Sequence, residues 1–142
     1  MDTDSADKSR SFDSVLNSDD PFSGLNAISE KIIGCSYTVS NALGCGFLER
    51  VYENALTHEL RKAGLRVDQQ VPTQVIYDGV EVGIYEADLM VEGCVLIELK
   101  AVRDLNDVHR AQCMNYLRAT GLRLCLLINF GNPRVEIKRI VM

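Results

Sequence analysis

The segment Cys94–Val102 reads C-V-L-I-E-L-K-A-V, a strongly apolar strand broken by one acid and one base. Everything else about it reads as protein core. Burying a lone carboxylate or ammonium costs several kcal/mol or more, so Glu98 and Lys100 need partners. Strand alternation puts both on one face, with Ile97 and Leu99 on the other. The preceding strand carries Asp88 in E-A-D-L-M-V. If the two strands pair through the Glu92-Gly93 turn, Asp88 falls beside Ile97 or Glu98, according to a one-residue difference in the loop. Three charged groups then meet on one patch of sheet.

The flanking segments define the context of that patch. Leu25, Ile28, Ile32, Val39 and Leu43 recur at helical spacing. Gly44-Cys45-Gly46 breaks the pattern, and a second helix is expected from about Phe47 to Ala63, with a stripe of Leu48, Val51, Tyr52, Ala55, Leu56 and Leu60. From Leu65 the period changes. Strands are expected at Leu65–Val71 and Thr73–Tyr77, separated by Pro72, then at Val80–Val82 and Gly83–Val91 after the Asp78-Gly79 turn. Asn106 can cap a helix to about Thr120, with Gly121 after it. Leu122–Asn129 and Arg134–Val141 are the last strands. The order of helices and strands implies an α/β (α+β) domain with a mixed sheet flanked by helices.

Length and charge narrow the function classes. The 142 residues fit one domain, able to hide roughly two-thirds of the surface of the unfolded chain. Residues 1–24 hold six Asp against two Lys and Arg and few large apolar groups, so they are expected to be a disordered acidic tail. Residues 25–142 form the expected domain, carrying fourteen acids and thirteen Lys and Arg. A nearly neutral domain does not grip nucleic acid by charge alone, although a bound divalent metal supplies local positive charge. No apolar run approaches the ~20 residues needed to span a bilayer, and the polar, acidic N-terminus does not read as a signal peptide. The five cysteines are widely and irregularly spaced, which suits reduced thiols in a cytoplasmic protein.

Two acids and a lysine in one cluster suit a hard cation. Mg²⁺ takes oxygen ligands, keeps several waters and commonly uses one or two carboxylates plus substrate phosphate. The plain alternative is a structural ion pair between Lys100 and one acid, which leaves the other carboxylate unpaired. No G-x-x-x-x-G-K-[ST] is present, and the few Ser and His residues offer no convincing triad.

Asp88, nine residues, then Glu98-Leu99-Lys100 resembles the D…ExK signature of the PD-(D/E)XK nuclease superfamily. Gly46-Phe47-Leu48-Glu49-Arg50-Val51-Tyr52 resembles the G-x-x-E-x-x-Y pattern of the GxxExxY family of predicted nucleases within it. Ala119-Thr120-Gly121 and Asn129-Phe130-Gly131 are also similar to that family. The resemblance covers roughly residues 25–142 and implies a restriction-endonuclease-like core. It implies a metal-dependent phosphodiesterase acting on nucleic acid, DNA more readily than RNA, that leaves 5′-phosphate and 3′-hydroxyl ends. Mg²⁺ or Mn²⁺ would be held by Asp88 and Glu98, with Glu49 and the Leu99 carbonyl as further ligands. Lys100 would position the attacking water or stabilise charge on phosphorus.

Helical spacing adds further candidates. Glu49 lies at the edge of its helix's apolar stripe, with Glu53 as a competitor expected nearer solvent. Gln112 and Tyr116, four apart, share a face and resemble the Q-x-x-x-Y element of some exonuclease branches, where the glutamine orients water, lysine or phosphate. His109, Tyr116 and Tyr52 are the candidate substrate contacts. A homodimer is expected because one small domain covers few base pairs. The competing reading is a nuclease-fold binding module without activity.

Overall fold

The computed structural model describes residues 23–142. The expected acidic tail lies outside the described residues, except that its last two positions already belong to the first helix. The elements are α1 (Ser23–Leu43), α2 (Glu49–Lys62), β1 (Val67–Tyr77), β2 (Val80–Val91), β3 (Val95–Lys100), α3 (Asp107–Thr120), β4 (Leu124–Asn129) and β5 (Glu136–Val141). The five strands lie in the order β1-β2-β3-β4-β5, with β3 and β4 parallel and all other neighbours antiparallel. Among the described residues, no helix is long and apolar enough to cross a membrane.

The sheet has a core on each face. Val95, Ile97 and Leu99 of β3 pack with Leu124, Leu126 and Ile128 of β4 beneath α1 and α2, joined by Ile28, Ile32, Tyr52, Leu56 and Leu60. Leu96 of β3 and Cys125 and Leu127 of β4 face α3, where they meet Cys113 and Leu117. Covering both faces is the usual state of parallel strands and explains why these two segments are almost wholly apolar. Each fully buried Leu or Ile contributes roughly 1.5–3 kcal/mol. Glu98 and Lys100 are the residues of β3 that break this rule, and both lie on the α3 side.

Several expected boundaries move. Residues 67–77 form one continuous strand through Pro72, and residues 80–91 another. Pro72 is tolerated because β1 is an edge strand, where one N–H faces outward in any case. The two hairpin turns carry positive φ at Asp78 and Gly79 and at Glu92 and Gly93, the twist that matches right-handed strands. The apolar stripe of α2 is narrower than its periodicity predicts. Tyr52, Leu56 and Leu60 are fully buried, whereas Leu48 is 81% exposed at the N-cap and Val51 is exposed. The chain before Leu48 is a Gly-rich loop, and among the described residues none covers the Leu48 side chain.

β2 pairs with β1 from end to end apart from a break at Asp88 and a register shift near the hairpin turn, but with β3 at Val91, Met90 and Leu89 alone. Beyond Leu89 the β1–β2 hairpin leaves the sheet as a two-stranded arm. Asp88 is the first residue past the fork.

Candidate active site

The fork leaves backbone N–H groups without ladder partners, and buried N–H groups must be satisfied. Acidic side chains do this work. The Asp88 N–H donates to Glu98 Oε1 at 3.2 Å, and the Leu99 N–H donates to Asp88 Oδ2 at 2.8 Å. Each acid therefore holds the backbone of the strand that carries the other. The register places Leu89 opposite Ile97, so of the two expected alignments it is Glu98 that lies beside Asp88.

Glu98 is buried, and burial followed by the charge of Asp88 pushes its pKa up to about 9. Asp88 is also raised, first by burial and then by Glu53, against the lowering effect of its bonds to Leu99 and Gln70 and of the Lys100 charge. Lys100 Nζ donates to Gln112 Oε1 at 3.5 Å, which ties the end of β3 to α3. Tyr116, one turn further along α3, stands edge-on to Tyr85 with ring centroids 4.6 Å apart. Burial raises the pKa of its hydroxyl, and the charges of Glu98 and Asp88 raise it further. The expected convergence of Asp88, Glu98, Lys100, Gln112 and Tyr116 is thus present.

Glu49 opens α2 at the rim of this cluster. It is exposed, and its carboxyl is raised by partial burial, then by Asp88, with Lys100 opposing. The expected order of Glu49 and Glu53 is reversed. Glu53 is only 3% exposed and accepts from Gln69 Nε2 and Gln70 Nε2, each at 2.8 Å, while Arg50 lies 3.7 Å away. Strand β1 covers that side of α2, a contact that helical periodicity cannot report. Sequence reasoning missed Gln69 and Gln70. The signal available was a pair of adjacent amides between Val67 and Val71 of β1.

One other expectation is corrected. Tyr52 is not available to substrate. It is completely buried, its ring stacks on Phe130 at 4.8 Å, and its hydroxyl donates to Gly44 O at 2.7 Å and accepts from the Phe47 N–H at 3.2 Å. It fixes the Gly-rich loop that leads into Glu49. His109 completes a capping box, its N–H donating to Asn106 Oδ1 at 3.1 Å and its Nδ1 accepting from the Asn106 N–H at 3.3 Å. One ring nitrogen is thereby committed to the start of α3.

The loop after Lys100 is held just as closely. Asn129 is fully buried and lies opposite Lys100 in the parallel ladder. Its Nδ2 donates to Val102 O at 2.8 Å, and its Oδ1 accepts from the N–H groups of Val102 and Gly131, both at 3.0 Å. A Cβ on Gly131 would lie 2.0 Å from Val102 O, so a glycine is required there. The N-F-G segment thus secures the exit of β3 and, through Phe130, stacks on the tyrosine of the first motif.

The model of the PD-(D/E)XK nuclease superfamily matches residues 26–140. The chain belongs to this superfamily. PD-(D/E)XK proteins are nucleases that generally use divalent metal ions, and the fold described above is theirs. Two solved structures share the fold. SSO0001 is 19% identical with a TM-score of 0.52, over 65% of this chain and 48% of that one. An alkaline exonuclease from Laribacter hongkongensis is 14% identical with a TM-score of 0.50, over 84% of this chain and 69% of that one. The chain therefore spans about half the length of SSO0001. No curated protein matches it.

The PD-(D/E)XK residues present fit a metal ion. The Asp88 charge raises Glu98, the Glu53 charge raises Asp88, and the Lys100 charge offsets neither shift in full. Among the described residues, no three His, Cys, Asp or Glu side chains are gathered into a cage. A pair of carboxylates is the donor set that Mg²⁺ uses when water and substrate phosphate supply the remaining ligands.

Proposed function

We propose that this PD-(D/E)XK protein is a metal-dependent nuclease that hydrolyses phosphodiester bonds in nucleic acid, DNA rather than RNA. The observation that carries the reading is the Asp88–Glu98 interlock at the fork, with Lys100 on the same patch. Asp88 and Glu98 are the residues that would hold Mg²⁺ or Mn²⁺, with Glu49 at the rim. The bound ion supplies positive charge to the substrate phosphate and acidifies water. Lys100 orients the attacking water and stabilises charge developing on phosphate oxygens. Gln112 holds the Lys100 ammonium in place, and Tyr116 borders the substrate path. The alkaline exonuclease of the same fold supports activity on nucleic acid. The five free cysteines suit a cytoplasmic location, and the small domain suits a homodimer.

Labelled duplex, single-stranded and branched DNA and RNA, incubated with Mg²⁺ or Mn²⁺, test the proposal. Wild-type protein cleaves at least one of them. Lys100→Ala and Asp88→Ala abolish cleavage while circular dichroism shows a folded protein. Normal cleavage by Lys100→Ala would count decisively against the mechanism.

A second reading, a binding module without activity, draws on the near-neutral domain charge. It predicts no metal-dependent rise in melting temperature and no cleavage of any of these substrates.

A further inference from the structure

One half-buried polar group beside the site, Gln70, has no part in the mechanism above. Gln70 is a non-glycine residue with φ 52°, a strained conformation that persists when its surroundings enforce it. The β1–β2 ladder runs through Gln69↔Leu89 and resumes at Val71↔Ala87, omitting Gln70 and Asp88. The backbone twist brings the Gln70 amide to two carboxylates at once. Its Nε2 donates to Glu53 Oε1 at 2.8 Å and to Asp88 Oδ1 at 3.5 Å. Glu53 is held in turn by Gln69 and Arg50.

We infer that Gln70, anchored by Glu53, is a positioning residue that sets the orientation of Asp88 for a divalent cation. Asp88 has two oxygens, and each has a donor. The Leu99 N–H fixes Oδ2, and the Gln70 amide fixes Oδ1. With the short bond on Oδ2 and the longer contact on Oδ1, rotation of the carboxylate plane is restrained and its free lone pairs favour one direction. A carboxylate with one oxygen free would have to be ordered as the ion binds. Partners of this kind typically affect metal affinity by about 10–100-fold. The chain Glu53–Gln70–Asp88 also links α2, which carries Glu49, to the fork. The donors must be an amide's, because a carboxylate at 70 would set three acids together.

This inference rests on the metal reading given above, and the test separates the two. Mn²⁺ is titrated calorimetrically into the full chain and into Gln70→Gly and Gln70→Leu. Glycine is at ease at φ 52°, so the first variant removes the amide without backbone strain. Leucine keeps bulk and removes the donors. Both variants are expected to bind Mn²⁺ about 10-fold or more weakly than wild type, with near-ultraviolet circular dichroism confirming native packing. A brace acting only on Glu53 would lower the melting temperature and leave the Mn²⁺ affinity at its wild-type value, and that result would overturn the inference. Absence of Mn²⁺ binding by the wild-type chain would overturn the metal reading, and this inference with it. If Gln70→Glu binds Mn²⁺ as wild type does, the requirement for an amide donor is wrong.

Discussion

Replacing Glu98 by glutamine should stabilise the metal-free protein and destroy its response to divalent cations. Glu98 is 5% exposed, and burial followed by the Asp88 charge raises its pKa from 4.5 to about 9. At neutral pH the folded state keeps a proton that the unfolded chain has released. The associated stability is fully present below pH 4.5 and is lost as pH rises through about 9. Each pH unit above 4.5 costs about 1.4 kcal/mol, so the cost at pH 7 is about 3 kcal/mol. Glutamine has the same shape, has no proton to hold and keeps an oxygen for the Asp88 N–H. For a chain of this size that difference corresponds to a rise in melting temperature on the order of 10 °C. Scanning calorimetry in EDTA should show the gap widening from pH 5 to pH 8. Mn²⁺ at about 100 times its Kd should then add about 2.7 kcal/mol to the wild type and nothing comparable to the variant. A variant that melts at or below wild type in EDTA at pH 7 would refute the reasoning, as would a gap that does not grow with pH.

The two motifs outside the acid cluster lead to stability predictions. Gly131→Ala places a Cβ against Val102 backbone atoms at 2.0–2.5 Å, and a loss of about 3 kcal/mol or more is expected in urea unfolding. Asn129→Ala leaves the Val102 and Gly131 N–H groups without their acceptor, which should cost about 2–4 kcal/mol and loosen the exit of β3 beside Lys100. Tyr52→Phe keeps the stack on Phe130 but removes the hydroxyl bridge from Gly44 O to the Phe47 N–H. It should cost about 1 kcal/mol in the same assay, with cleavage retained because the ring does not meet substrate.

The sequence by itself determined which groups had to be explained. Glu98 and Lys100 could not sit in the middle of a core strand without partners, and strand alternation fixed their shared face. Local chemistry also placed the helices, since Asn106, Gly121 and the helical apolar spacing act over a few residues. What failed was long-range. Glu53 looked solvated because nothing in α2 reveals that β1 lies over it. Tyr52 looked available because its partners, Gly44 and Phe130, come from a loop and from the segment just after β4, remote in sequence. Only the tertiary structure decided that β2 leaves β3 at Asp88, and that acidic side chains satisfy the N–H groups freed there. Periodicity reports which face of an element is buried. The fork depends on how two strands twist apart, which neither strand encodes alone.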